Sequence, residues 1–282
     1  MSDIELIAGT WATSGDAAAG TDDDRSPHPF SERIEAAAQA GFAGVGIGYM
    51  DLLQVRDTVG YPAVRTMLAD NGIKYLELEM LLNWFVTDER RAAADAQRAV
   101  MLTAAEELGA RHVKVGGDFS GGPFEPDHLA EEFSKLASQA ADAGTLVAFE
   151  PMPFVNVSTP AKALQFIAQA DHPSGGMLLD IWHVARAGVD FDSLRDIPLK
   201  YIVGVELDDA PLEFQGSLID DTFHGRRLPG EGELDVAGFV AAARATGFTG
   251  PWSVEPLSTD YRKLPLKEAT TAAFQTTMSF LV

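Results

Sequence analysis

The sequence contains no cysteine, which excludes disulfides, thiolate metal sites and a cysteine nucleophile together. Basic residues are scarce. Against 42 Asp plus Glu stand 21 Lys plus Arg, for a formal net charge of −21. A surface this acidic repels phosphate backbones and anionic lipid, so it argues against nucleic-acid and membrane-surface roles. No apolar run approaches the roughly 18 residues that a membrane span needs, and Met1–Ile7 carries two acids and no basic leader region. A soluble cytoplasmic protein is the expectation. A G-x-G-x-x-G run between a strand and a helix is also missing. The triplet Gly44/Gly46/Gly48 lies inside a β-type run, reads as close packing, and implies no nucleotide cofactor.

What is present is an alternation. Eight β-type runs, Glu5–Trp11, Gly44–Tyr49, Lys74–Met80, His112–Gly117, Leu146–Pro151, Gly176–Trp182, Tyr201–Leu207 and Pro251–Pro256, are separated by Ala-rich segments. Those segments carry apolar residues at three- and four-residue spacing, as amphipathic helices do. The clearest are Ser31–Ala40, Val86–Gly109, Pro126–Gly144, Thr159–Ala170, Asp235–Gly247 and Leu264–Phe280. Three helices are followed by one pattern: Ala40-Gly41-Phe42, Leu108-Gly109-Ala110 and Thr246-Gly247-Phe248. A left-handed glycine there closes the helix and feeds the chain into the next strand. Strand–helix alternation sustained eight times predicts an α/β fold, a single (β/α)8 TIM barrel over residues 1–282, with its active site at the C-terminal ends of the strands.

Those strand ends are acidic. The fifth run ends in Phe149-Glu150-Pro151, the sixth in Leu179-Asp180-Ile181-Trp182-His183, the seventh in Val205-Glu206-Leu207-Asp208, and the eighth in Val254-Glu255-Pro256. Each acid follows apolar residues, where an isolated carboxylate is costly to bury. Four of them, from four consecutive strands of a closed barrel, converge and repel one another unless a cation sits among them. A divalent metal satisfies that demand.

The chain resembles the xylose isomerase-like TIM barrel superfamily of sugar phosphate isomerases and epimerases. Phe149-Glu150, Asp180-x-x-His183, the run Arg227-Leu228-Pro229-Gly230-Glu231-Gly232-Glu233-Leu234-Asp235 and Ser253-Val254-Glu255 carry the resemblance. It implies metal ligands at Glu150, Asp180, a seventh-strand residue and Glu255, with His183 and an Arg before the Pro-Gly-Glu-Gly run on substrate. The seventh-strand residue that aligns is Glu206, where many members carry His and some dehydratases Gln. Period-two alternation puts Asp208 on the same face, so either acid suits the position. An all-carboxylate shell is hard, which shifts the expected metal towards Mn²⁺ or Mg²⁺.

Other candidates each have two readings. Lys114 on the fourth strand must be paired inside a barrel; it neutralises Glu79 or Glu150, or touches substrate. Arg227, beside Arg226, suits a polyhydroxyl or anionic ligand, or else a salt bridge to Glu231 or Glu233. Trp11 and Trp182 fall at strand ends, where an aromatic face stacks on a sugar or simply roofs the barrel. The resemblance implies a metal-dependent isomerase or epimerase that removes a proton α to a carbonyl of a small sugar or sugar-derived ketone, with Glu150 and Glu255 as the acid/base pair. Its alternative is a lyase using the same enolate, like 3-dehydroshikimate dehydratase or the α subunit of a C-glycoside deglycosidase. The second lyase model implies a β-subunit partner; otherwise a homo-oligomer is the expected assembly. A sugar-binding barrel without chemistry is the non-enzymatic rival.

Overall fold

In the computed structural model, which describes residues 4–214 and 216–282, eight parallel strands close into a barrel in sequential order, β1 to β8. They are β1 (Leu6–Ala8), β2 (Gly44–Gly48), β3 (Tyr75–Leu81), β4 (His112–Val115), β5 (Leu146–Phe149), β6 (Gly175–Asp180), β7 (Ile202–Leu207) and β8 (Trp252–Val254). The expected alternation is therefore the observed one. Of the acidic N-terminal segment, Met1–Asp3 lies outside the described residues. Among the described residues, no helix is long and apolar enough to cross a membrane.

The helices are α1 (Thr10–Thr13), α2 (Phe30–Ala40), α3 (Tyr49–Thr58), α4 (Tyr61–Asp70), α5 (Arg90–Leu108), α6 (Pro126–Asp142), α7 (Pro160–Ala170), α8 (Ile181–Arg186), α9 (Leu218–His224), α10 (Val236–Ala245) and α11 (Leu266–Leu281). Gly41 (φ 110°), Gly109 (φ 69°) and Gly247 (φ 93°) are left-handed, as the repeated helix-to-strand pattern requires. The helix expected from Val86 starts instead at Arg90. Asp88 accepts the Arg90 backbone N–H at 2.9 Å, and the preceding turn buries Trp84, whose Nε1 donates to the Gly116 carbonyl at 2.9 Å. Trp84 then meets Phe133 and Phe149 edge-on in the layer between barrel and helices, each pair adding about 0.5–1.5 kcal/mol beyond burial.

The glycines of β2 hold that strand against its neighbours. A Cβ on Gly46 would lie 2.5 Å from the Thr10 backbone nitrogen, and one on Gly44 would lie 2.7 Å from Tyr75 Cβ. Gly46→Ala is therefore expected to destabilise the fold by about 1–3 kcal/mol through overpacking. Urea denaturation measures this, and a loss below about 0.5 kcal/mol would contradict the close approach.

The register explains why the inside of the barrel is polar. Gly46 pairs with Glu77 and Gly48 with Glu79, so residues without side chains flank two inward carboxyls. Glu77 in turn pairs with His112, Asp180 with Glu206, and Glu206 with Ser253. The side chains of Glu77, Glu79, His112, Asp180, Glu206 and Ser253 are all buried. In a barrel of this kind, branched apolar residues ordinarily fill the interior. The exchange of hydrocarbon for charge here marks the place where stability yields to chemistry.

Candidate active site at the carboxyl end of the barrel

Each strand delivers its acid by a local device. Glu150 follows β5, and its N–H donates to the Val115 carbonyl at 2.9 Å, which continues the ladder one step past the strand. Asp180 ends β6 and caps α8: its Oδ1 accepts the His183 N–H at 2.9 Å, so one acid both starts a helix and presents His183 one turn on. Glu206 lies within β7, and Glu255 follows β8 with its N–H on the Leu207 carbonyl at 3.2 Å.

Glu150, Asp180, Glu206 and Glu255 are all at most 5% exposed, and each offers one oxygen within 4.8 Å of the others. A second group, Glu150, Asp180 and His183, meets the same limit. The period-two ambiguity on β7 separates: Glu206 joins the four-acid group, whereas Asp208 Oδ2 accepts Arg226 Nη1 at 2.7 Å.

Two buried cations hold the acids apart. Lys114 Nζ lies 2.6 Å from Glu206, 2.8 Å from Glu79 and 3.0 Å from Glu255. Arg226 Nη1 bridges Asp180 and Asp208 at 2.7 Å each, and its Nη2 reaches His183 Nε2 at 3.1 Å. The face of Trp182 covers that guanidinium, 5.1 Å from its carbon.

These two charges do not satisfy the cluster. Burial, reinforced by Glu255, pushes the Glu79 carboxyl well above the usual range. Glu206 is also raised well, by burial that Lys114 only partly offsets. Asp208 rises by burial and by the charge of Asp180. Burial raises Glu255 and Asp180 too, but both end up lowered: Lys114 and Arg226 together outweigh burial for Glu255, and Arg226 together with His183 does so for Asp180. For Lys114, burial opposes the ammonium, but Glu206, Glu255, Glu79 and Glu77 raise it well above an ordinary lysine.

The residues fit a divalent ion. Glu150 Oε1 and Glu206 Oε2 are fully buried and have no hydrogen-bond partner. Buried carboxylate oxygens are normally satisfied, and a cation held by Glu150, Asp180, Glu206 and Glu255 satisfies both. His183 Nε2 stands 3.2 Å from Glu150 Oε1. Arg226 Nη2 reaches that same Nε2 at 3.1 Å, so the ring nitrogen that faces Glu150 is shared with the guanidinium.

A cavity of about 520 Å³ opens above the acids. Glu79, Glu150, His183, Arg226 and Glu255 are among its polar lining; Trp11, Tyr49, Met80, Phe119, Phe154 and Phe223 are among its apolar walls. Gly20 and Asp24, from the long segment after α1, also line it.

The placement differs from three sequence-based expectations. Arg227 is outside this cavity: its backbone pairs with Asp209 in an antiparallel bridge, its Nη1 donates to the Glu231 carbonyl at 3.0 Å, and it lines a separate surface groove. Neighbours in extended chain face opposite ways, and Arg226 is the arginine that faces the acids. Trp182 is fully buried, with Nε1 donating to Asp221 at 3.0 Å, so it supports Arg226 instead of lining the cavity. Lys114 is also fully buried, beneath the acids, and its expected partner Glu79 is accompanied by Glu206 and Glu255, not by Glu150. Trp11 does line the cavity, as do His183, Glu150 and Glu255.

Sequence reading missed Asp209. Its carboxylate accepts the backbone N–H groups of Gly230, Gly232 and Leu234 at 2.9–3.0 Å. That fastens the Pro-Gly-Glu-Gly run to β7. A Cβ on Gly232 would come within 2.3 Å of Asp209 Oδ1, and the Asp-Asp pair at 208–209 was the available signal.

A family model described as a xylose isomerase-like TIM barrel matches residues 34–279. A 3-dehydroshikimate dehydratase of Pseudomonas putida is 32% identical over 241 residues, 84% of this chain and 37% of that protein. An inosose isomerase of Bacillus subtilis is 29% identical over 147 residues, 51% of this chain and 52% of that protein. A solved xylose isomerase-like TIM barrel/4-hydroxyphenylpyruvate dioxygenase fusion protein superposes with a TM-score of 0.85 at 27% identity, covering 98% of this chain and 42% of that one. The chain thus spans little more than a third of the length of the dehydratase it matches and about half of the isomerase. Both curated relatives are enzymes.

Proposed function

The chain belongs to the xylose isomerase-like TIM barrel family, and on that premise we propose that it is a divalent-metal-dependent enzyme. It removes a proton α to the carbonyl of a small polyhydroxylated ketone. The observation that carries this reading is the convergence of four buried carboxylates, two with unpartnered oxygens, of which Glu150 and Glu255 line a cavity.

Glu150, Asp180, Glu206 and Glu255 would hold the ion, and their all-oxygen chemistry favours Mn²⁺ or Mg²⁺. When bound, such an ion polarises a carbonyl and a neighbouring hydroxyl. Glu150, whose buried Oε1 has no protein donor and would face the ion, would receive the α-proton on its other oxygen. Glu255 is kept ionised by Lys114 and Arg226 and faces the substrate as the second carboxylate of the pair. Arg226 and His183 bind substrate oxygen, the guanidinium placing positive charge where the enediolate oxygen becomes negative. The apolar walls exclude water from the reacting carbons, and Trp11 offers a ring face to the C–H side of the substrate.

The enolate has two fates. Returning the proton to the adjacent carbon or the other face isomerises or epimerises the ketone; expelling a β-hydroxyl makes the enzyme a lyase. The match to the dehydratase over 84% of this chain, against 51% for the isomerase, supports elimination. Incubating Mn²⁺-loaded protein with a panel of cyclic polyhydroxy ketones in D2O tests both. Expected is deuterium at the α carbon, accompanied by an ultraviolet-absorbing enone if elimination follows. Neither deuterium nor enone from any ketone overturns the reading.

A further inference from the structure

Glu206 is the one member of the four-acid group with a buried lysine and a hydroxyl on the same oxygen. Its Oε1 accepts from Lys114 Nζ at 2.6 Å and from Ser253 Oγ at 2.8 Å. Its Oε2 is buried without a partner. One oxygen is thus fixed from below, and the other is left for an ion. Lys114 has no exposed surface and sits beneath the acids; Glu206 at 2.6 Å is its nearest partner, ahead of Glu79 at 2.8 Å, Glu255 at 3.0 Å and Glu77 at 3.6 Å, and it is beyond salt-bridge reach of Glu150 and Asp180.

We infer that Lys114 and Glu206 form one electroneutral unit at the metal site, Lys114 being a positioning residue that cancels the charge of Glu206 while Glu206 still contributes an oxygen. The ion is then balanced by Glu150, Asp180 and Glu255, the last two moderated on the opposite side by Arg226 at 2.7 and 3.7 Å. This rests on the metal reading proposed above. The charge follows from geometry. An ammonium locked 2.6 Å from one carboxylate oxygen stays within a few ångströms of any cation bound by the other, and in a buried site that repulsion is weakly screened. Removing the negative partner alone leaves the positive one facing the ion; removing both takes away the two opposite charges together, with the amide oxygen of glutamine still available and Glu79 and Glu255 left without the ammonium.

The experiment is a double-mutant cycle with Mn²⁺ as the probe. Mn²⁺ affinity is measured by calorimetry, and thermal denaturation is followed after chelation. Both are applied to the wild type, Glu206→Gln, Lys114→Met and the double variant. Glu206→Gln is expected to weaken Mn²⁺ by about 10–100-fold, the range for losing a supporting partner. The double variant is expected to recover to within about twofold of the wild type. Chelated, it should also melt above Lys114→Met, in which Glu206 is a buried charge without its cation. If Lys114→Met does not fold, the wild type, Glu206→Gln and the double variant still decide. A double variant binding no tighter than Glu206→Gln overturns the unit and leaves the proposed function standing. A wild type that binds no Mn²⁺ overturns both.

Discussion

Glu150→Gln is expected to lower turnover by about 10³-fold, within the range for losing a positioned proton acceptor, while leaving the metal-free fold at least as stable as the wild type. The two halves have one cause. Glu150 is 1% exposed and its Oε1 has no donor, so in the absence of a cation it crowds against Asp180, Glu206 and Glu255 with no hydrogen bond on that oxygen. The amide has the same shape and removes that repulsion. It also removes the carboxylate charge that accepts the α-proton on one oxygen and helps hold the ion through the other. Chelated protein should then melt at the wild-type temperature or roughly 1–3 °C above it, and added Mn²⁺, which should raise the wild-type midpoint by mass action, should raise it much less. Melting curves with and without Mn²⁺, together with deuterium exchange on the ketone panel, check both. An active variant, within about tenfold of wild type, would remove Glu150 from the chemistry. A collapse of the chelated fold would show that Glu150 is held by a partner and is structural.

That opposition between stability and chemistry also accounts for what could be read without coordinates. The barrel was legible because its signal is periodic and repeated: apolar runs, amphipathic spacing and closing glycines recur, and Gly41, Gly109 and Gly247 adopt the left-handed conformation their sequence context demands. The acids were legible because charge at the end of an apolar strand is conspicuous. Helices α1, α3, α4, α8 and α9 were not. The first, α8 and α9 are short, α3 begins directly at the end of β2 and α4 follows it almost at once, and α8 is capped by Asp180, a residue whose other role had already explained it. The burial of Trp182 and Lys114 depends on what lies across the barrel, Asp221 for one and Glu206 for the other, and no local pattern encodes partners 39 and 92 residues away. The choice between Arg226 and Arg227 turned on a single step of extended backbone. The bridge between Asp209 and Arg227 sets it, and that bridge is itself a product of the folded loop.

The same step predicts opposite fates for two adjacent arginines. Arg226→Met should destabilise the protein by about 3–5 kcal/mol, the cost of leaving buried charges without their partner. Asp180 and Asp208 are 1% and 0% exposed, and both lose the guanidinium nitrogen that now joins them. Arg227→Met should stay within about 1 kcal/mol, because its polar contact is one exposed bond to a backbone carbonyl. Adding Asp208→Asn to Arg226→Met removes one of the stranded charges and should restore about 1–3 kcal/mol, a coupling expected of residues in one buried network. Asp208→Asn is the informative partner because Asp208 stands outside the four-acid group, so the rescue reads the ion pair and not metal binding. Urea denaturation of the chelated proteins measures all of these. Equal losses for the two arginines would mean that both, or neither, hold the acids, and the assignment of Arg226 to the cavity would fail with it. An additive double variant would mean that Arg226 does not act through Asp208, leaving its ion pair with Asp180 and its packing on Trp182, which Asp208→Asn cannot repair, as the source of the loss.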